Sequence, residues 1–198
     1  MKLQNTINVI ENTTAGPILF DLPSRLMQNR IIMLDSEINE ETATSVIEQM
    51  LYLDKVSPKE DITLYINSPG GTVTDGLAIY DTMNFIRPDV RTVCIGQACS
   101  MAAILLSSGT KGKRYCLPNA SVMIHQPSGG AYGMCTDMEI QLNVVARYKE
   151  KLTRILATNV GKDYETVLND CERDKYFMAE DALAYGLVDK IKVRKSVD

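Results

Sequence analysis

The sequence predicts an α/β fold in which parallel strands and helices alternate around one sheet. Short apolar runs at residues 30–34, 62–67 and 90–95 have the composition of buried strands. Each is followed by a segment that can form a helix. No repeat, low-complexity segment or linker divides the 198 residues, so we expect a single domain over 1–198.

The elements can be predicted in order along the chain. Residues 1–24 look irregular, with a turn-rich stretch at 12–17. A helix opens at Asn39 with acids in its first turn. The elements that follow the strand at 62–67 are predicted as a helix over 75–85 capped by Thr74 or Asp75, a strand over 90–95, a buried helix over 101–106, and strands over 114–117 and 121–124.

The pattern changes after residue 127. Gly129, Gly130 and Gly133 precede one long helix, predicted over 137–159. At about 1.5 Å per residue it spans on the order of 35 Å. It either lies on its own domain or forms an arm that packs against another subunit. Its length relative to a 198-residue core favours the arm.

Composition excludes several classes of function. The net charge of −4 argues against nucleic acid or an anionic membrane as a partner. No apolar run is as long as a membrane span, and the N-terminus lacks an apolar signal core, which favours a cytoplasmic location. The five cysteines show no paired spacing, so we expect reduced thiols, and no metal or cofactor site is expected in this chain.

One pair of residues suggests hydrolytic chemistry. His125 is the single histidine, and it ends a predicted strand just before Pro127. Ser100 lies among small residues where an apolar helix opens, so the helix N-terminus favours a developing negative charge beside it. A helix N-cap for Ser100 and a core or surface position for His125 are the alternatives. Together they favour a serine nucleophile activated by a histidine base.

The remaining parts of such a site are less certain from the residues alone. Residues 67–71 form a glycine-containing turn between a strand and a helix, and its backbone amides could meet a substrate carbonyl. Cys99 is a weak candidate nucleophile because nothing nearby lowers its pKa. The carboxylate that would orient His125 can be any of four downstream residues: Asp163, Asp170, Asp174 and Asp181.

Four segments in order resemble the proteolytic subunit of the Clp protease (ClpP) family. They are residues 65–71, 92–103, 114–127 and 172–174, and the likeness extends from about residue 24 to 192. The resemblance implies a crotonase-like spiral of strands and helices, with a protruding handle formed by a glycine-rich strand and the long helix over 128–160. It also implies that residues 1–23 form an axial segment at the entrance of a chamber.

The resemblance implies a serine endopeptidase with a Ser100–His125–Asp174 triad. The amides of Gly71 and Met101 would form the oxyanion hole. An extended substrate would pair like an added strand with residues on either side of the site. These substrate-binding residues are Gly70, Thr72, Val73, Ser128 and Gly130.

The resemblance also implies the assembly and its partners. Members form two stacked seven-membered rings, in which Glu172 and Arg173 would pair across the ring interface. A Clp-type AAA+ unfoldase, which uses the ATP, feeds unfolded proteins to the chamber. Its loops would dock on Leu51, Tyr65, Phe85, Tyr115 and Leu117.

The chain departs from the family pattern at three places. Residues 11–23 lack the charged stretch that members commonly carry, Thr63 replaces an aromatic pocket residue, and Ser128 replaces a leucine. These departures suit a second paralogue that is weakly active or structural alone and works in a mixed complex with another ClpP-type subunit. A crotonase-type acyl-CoA enzyme is a further alternative, since it would share the fold.

Overall fold

The fold is built on a mostly parallel sheet, and the computed structural model describes residues 7–14 and 16–193. The strands are β1 (Asn8–Thr13), β2 (Gly16–Asp21), β3 (Ile31–Leu34), β4 (Ile62–Ser68), β5 (Val90–Cys99), β6 (Arg114–Cys116), β7 (Ser121–Ile124), β8 (Lys175–Met178) and β9 (Lys190–Ile191). The helices are α1 (Leu22–Gln28), α2 (Glu40–Val56), α3 (Val73–Phe85), α4 (Met101–Ser107), α5 (Cys135–Val160), α6 (Tyr164–Asp170) and α7 (Ala179–Tyr185).

The sheet topology brings the ends of β5, β7 and β8 to one place. Within the described residues the main path is β3-β4-β5-β6-β9, and all of its neighbours pair in parallel. The long strand β5 also pairs in parallel with β7, which pairs antiparallel with β8. The predicted α/β class with parallel βα units is confirmed.

The core lies on one face of this sheet. Along β4, Ile62, Leu64 and Ile66 are fully buried and belong to the same core cluster as Met50 of α2 and Leu105 of α4. Since side chains alternate along a strand, the intervening residues of β4 point to the opposite face. All residues of α4 are buried, which confirms the buried helix that the apolar run 101–106 predicted.

The irregular N-terminus predicted for residues 1–24 is wrong for its described part. β1 and β2 form an antiparallel hairpin, followed by α1. The turn-rich stretch at 12–17 includes the last residues that pair in this hairpin, Thr13 with Gly16. The hairpin has no one-sided apolar pattern: Ile10 and Leu19, which pair with each other on one face, are 70% and 65% exposed, and Ile18 on the other face is 43% exposed. Residues 1–6 and 15, which belong to the expected axial segment, lie outside the described residues.

Two other boundaries differ from the prediction. β5 continues past residue 95 to Cys99, because its last residues find a partner in β7. α3 begins at Val73, not at residue 75, and neither Thr74 nor Asp75 is its cap. Thr72 is the N-cap residue but makes no side-chain capping hydrogen bond.

The long helix α5 spans 26 residues, close to the prediction. Its buried residues all lie in its second half, from Leu152 onward, and Ile140 and Leu142 in its first half are each 57% exposed. The glycine-rich strand expected before α5 is absent: residues 128–134 have no regular structure. An isolated extended segment is not a strand until it finds a partner, and no segment within the described residues pairs with this one.

Candidate active site

Ser100 occupies a strained turn between β5 and α4. Its backbone has φ 55° and ψ −121°, a conformation that is costly for a residue with a side chain. The turn is held by the Ser100 amide, which donates to the carbonyl oxygen of Met123 at 2.8 Å. The hydroxyl makes no capping bond to α4, so the side chain is free to make a bond elsewhere. The N-cap alternative therefore fails for the side chain.

His125 directly follows β7, the strand that pairs with the last residues of β5. The register places Met123 opposite Cys99, so the residues that follow both strands lie side by side. The imidazole Nε2 lies 2.7 Å from the Ser100 hydroxyl oxygen.

Asp174 directly precedes β8, which runs antiparallel to β7. Because Lys175 pairs with Ile124, Asp174 lies next to His125. Its Oδ1 lies 2.9 Å from the imidazole Nδ1. Two of the other three candidate acids have different partners: Asp163 caps α6, and Asp170 bonds to Lys175 and Tyr185. The structure therefore brings Ser100, His125 and Asp174 into one hydrogen-bonded line.

Two backbone amides lie beside this line without an acceptor. Ile38 bonds to Gly70 on one side and Thr72 on the other, so the Gly71 N–H between them points away from Ile38. Met101 is the first residue of α4, where an N–H has no partner in the helix. Within the described part of the chain, neither amide has a hydrogen-bond acceptor.

The Gly70 backbone packs directly against the Ser100 turn. A Cβ on Gly70 would lie 2.6 Å from the carbonyl oxygen of Cys99, 2.8 Å from the Ser100 Cβ and 3.2 Å from the Met101 nitrogen. Only glycine permits this approach, and Gly70 also has φ +95°. The close contact brings the Gly70–Gly71 segment next to the Met101 nitrogen.

A narrow apolar cavity of about 20 Å³ opens beside Ser100 and His125. Apart from these two residues, most of its lining comes from α4, α5 and the start of α3, including Val73, Met101, Ile104, Leu152 and Leu156. Leu152 and Leu156 were not predicted as site residues, because their helical spacing is equally typical of ordinary core packing.

Cys99 is 7% exposed, and its thiol lies 3.6 Å from the Gln97 side-chain oxygen. Burial raises its pKa, and the nearby negative charge of Asp174 raises it further. A thiol held in its protonated form is a poor nucleophile. These contacts favour Ser100 over Cys99.

A family model described as Clp protease matches residues 14–195, almost the whole chain. The chain belongs to the Clp protease family. Its mostly parallel sheet and surrounding helices are the crotonase-like α/β fold of that family. Membership assigns the chain to proteolysis as a ClpP-type peptidase.

The residues expected at the Clp unfoldase interface fall into two groups on this chain. Tyr65 and Tyr115 share one row of the sheet, on the face opposite the core, through Val93 of β5. Leu117 follows β6 and is 37% exposed. Leu51 and Phe85, 44% and 80% exposed, belong to α2 and to the end of α3. Because α2 packs on the core face, the two groups do not form one pocket within a single chain.

The other predicted site residues lie at the surface around the triad. Ser128 and Gly130 are exposed and follow the His125 segment, and Val73 lines the cavity. Glu172 forms an ion pair of 3.2 Å with Lys149 of its own chain, and Arg173 is exposed. The structure contains one chain, so pairing of either residue across a ring interface stays a prediction.

Neither a metal centre nor a membrane span is found in the described ranges 7–14 and 16–193. No cluster of three or more His, Cys, Asp or Glu side chains is positioned to hold a metal ion there. In the same ranges, no helix combines the length and the apolar character needed to cross a membrane.

Proposed function

We propose that this chain is a serine endopeptidase subunit in which Ser100 is the nucleophile, His125 the general base and Asp174 the residue that orients the imidazole. The observation that carries the proposal is the continuous hydrogen-bonded line from Asp174 through His125 to Ser100, at 2.9 and 2.7 Å. Three side chains from separate segments meet in the order that serine hydrolysis needs.

The hydrogen-bond partners of His125 support one direction of proton transfer. A carboxylate only accepts hydrogen bonds, so Nδ1 carries the ring hydrogen and Nε2 is free to accept the Ser100 proton. The serine oxygen attacks the peptide carbonyl, and His125 then passes the proton to the leaving amine. Water, activated by the same imidazole, hydrolyses the acyl-enzyme and releases the acid product.

The Gly71 and Met101 amides would stabilise the negative charge on the tetrahedral oxygen. Both are free donors next to Ser100, and the first turn of α4 adds a favourable dipole. The strained Ser100 backbone fits this role, since it exposes the hydroxyl at the turn instead of capping α4.

We expect an unfolded polypeptide substrate, bound in extended form between Thr72–Val73 and Ser128–Gly130. Pairing through the main chain depends little on the substrate's side chains, so we expect low sequence specificity. The apolar cavity next to Ser100 would take the side chain before the scissile bond, so apolar residues are favoured there. The chemistry needs no cofactor in this chain.

The wider assignment follows the family. The chain would assemble as stacked heptamers in the cytoplasm, with the handle over 128–160 joining the rings, and would receive substrate from a Clp-type AAA+ unfoldase that uses ATP. The two separated groups of docking residues suit a pocket shared by neighbouring subunits. Exposed apolar residues of the long helix, such as Ile140 and Leu142, suit burial against another copy.

A second candidate is a subunit that is weakly active or structural alone and completes a mixed complex with another ClpP-type subunit. The departures at 11–23, Thr63 and Ser128 favour it, because they fall where the unfoldase and substrate are expected to bind.

The test is degradation of fluorescein-labelled casein by the purified chain, alone, with a Clp-type unfoldase and ATP, and with a second ClpP-type subunit. Ser100→Ala is the control in each mixture. Activity that needs Ser100 and rises with the unfoldase supports the first candidate. Activity that appears only with the second subunit supports the second candidate, and the effect of Ser100→Ala then distinguishes a weakly active subunit from a structural one. A lack of Ser100-dependent hydrolysis in every mixture contradicts the proposal.

A further inference from the structure

The side chain of Asp174 has few contacts that fix the position of its carboxylate. Its side chain is 56% exposed, and its one hydrogen bond within the described residues is the bond to His125. An exposed carboxylate with a single bond can rotate away from the imidazole. Its position must therefore come from the backbone of the turn 171–174 that carries it.

Gln126, the residue after His125, binds this turn at two points. Its backbone N–H donates to the carbonyl oxygen of Cys171 at 2.6 Å. Its side-chain Nε2 donates to the carbonyl oxygen of Glu172 at 3.0 Å. We call these two hydrogen bonds the Gln126 clamp. The clamp links the segment that carries His125 to the segment that carries Asp174, which lies more than 40 positions later in the sequence.

A second anchor closes the other end of the turn. Lys175, directly after Asp174, forms an ion pair with Asp170, directly before the turn. The Tyr185 hydroxyl donates to the other Asp170 oxygen at 2.7 Å. Burial, followed by the hydrogen bond to Asp170, raises the pKa of Tyr185, so the hydroxyl stays a donor at any physiological pH. With this end fixed, the clamp at Gln126 sets where the turn lies relative to His125.

We propose that Gln126 is a positioning residue, whose side-chain amide holds the Asp174 turn in register with His125. The inference rests on the proposed function, because it assigns Gln126 an effect only through the Ser100–His125–Asp174 line. Gln126 makes no hydrogen bond to Ser100 or to the imidazole. It also lines the cavity beside Ser100, so the dependence on Asp174 separates an effect through the turn from an effect on substrate binding.

The test replaces Gln126 by methionine, which has a similar length and no donor. The backbone bond to Cys171 remains in this variant. The matched control is Gln49→Met, because Gln49 also donates its side-chain amide to a carbonyl oxygen, that of Ser45 at 3.0 Å, but on α2. The rate of fluorophosphonate labelling of Ser100 and the kcat and KM for a short peptide are measured for both.

We expect Gln126→Met to lower the labelling rate and kcat about fivefold, the rate equivalent of about 1 kcal/mol for one neutral hydrogen bond. KM should change little, and Gln49→Met should leave both rates unchanged. The decisive measurement is Gln126→Met in an Asp174→Ala background, where it should have no further effect, because the acid that it positions is gone.

Three results separate the possible failures. Equal rates for Gln126→Met and the parent protein overturn the inference, and so does a fivefold loss that persists in the Asp174→Ala background, since that is a general structural effect. Absence of labelling at Ser100 in the parent overturns the proposed function instead. If Gln126→Met loses thermal stability, Gln126→Glu, which keeps the shape and lacks the donor at neutral pH, must give the same dependence on Asp174.

Discussion

The contact between Gly70 and the Ser100 turn gives a sharp prediction for Gly70→Ala. A Cβ at this position would lie within 2.6 and 2.8 Å of the Cys99 oxygen and the Ser100 Cβ, distances that real Cβ atoms do not show. The neighbouring atoms are backbone or belong to the nucleophile, so the whole loop must move. That movement displaces the Gly71 amide from its proposed place in the oxyanion hole.

The expected loss follows from the value of one oxyanion donor. Removing such a donor typically lowers the rate about 10²–10³-fold, so Gly70→Ala should lower kcat by about that factor. The positive φ of +95° adds backbone strain of about 1–2 kcal/mol to the free energy of folding. The activity loss should therefore be much larger than the loss of stability can explain.

Gly112→Ala is the matched control. Gly112 also has a positive φ, +85°, but a Cβ there would meet nothing within 4 Å. It should lose only about 1–2 kcal/mol of stability, the cost of the positive φ, and it should keep its activity. The assay is hydrolysis of a short peptide together with chemical denaturation of both variants. If Gly70→Ala is as active as Gly112→Ala, the assignment of this loop to the oxyanion hole is wrong.

Three further predictions concern stability, specificity and docking. Asp189→Asn should lower the free energy of unfolding by about 3–5 kcal/mol in urea denaturation, because it leaves the 1% exposed Arg114 without its carboxylate. Burial opposes ionisation of Asp189, but its bonds to Arg114 outweigh it and lower its pKa to about 2. Ionised Asp189 therefore stabilises the fold fully above about pH 4, and this stabilisation is lost as pH falls through about 2. The free energy of unfolding of Asp189→Asn should not show this loss. Val73→Ala should widen the cavity and shift cleavage several-fold towards larger side chains before the scissile bond, as product sequencing would show. Phe85→Ala, at a residue 80% exposed, should leave thermal stability and Ser100 labelling unchanged but abolish stimulation of casein degradation by the unfoldase.

Sequence patterns predicted the elements in which apolar side chains occupy the buried positions. The strand over 62–67 and the buried helix after Ser100 follow directly from apolar spacing, and both are confirmed. The hairpin of β1 and β2 was missed because its exposed apolar residues show no one-sided pattern. Helix α3 begins two residues earlier than predicted, at Val73, without a side-chain cap of its own.

The candidate site could also be predicted only in part from the sequence. The residues alone indicated Ser100, which lies where an apolar helix opens, and His125, the single histidine at the end of a predicted strand. The residues alone left four acids open, and the ClpP resemblance pointed to Asp174. The pairing of β7 with β8 then places Asp174 beside His125, a tertiary contact that no local pattern contains. Gln126 was missed for the same reason: its partner carbonyl on Glu172 is 46 positions away in sequence.

The central claim is that Ser100, His125 and Asp174 act together as a catalytic unit. The most direct test is reaction of the purified chain with a fluorophosphonate probe, followed by peptide mass spectrometry to locate the adduct, with Ser100→Ala as the control. We predict a single adduct on Ser100 whose formation slows strongly in His125→Ala and Asp174→Ala. An adduct elsewhere, or labelling of Ser100 at the same rate in all three proteins, would contradict the account.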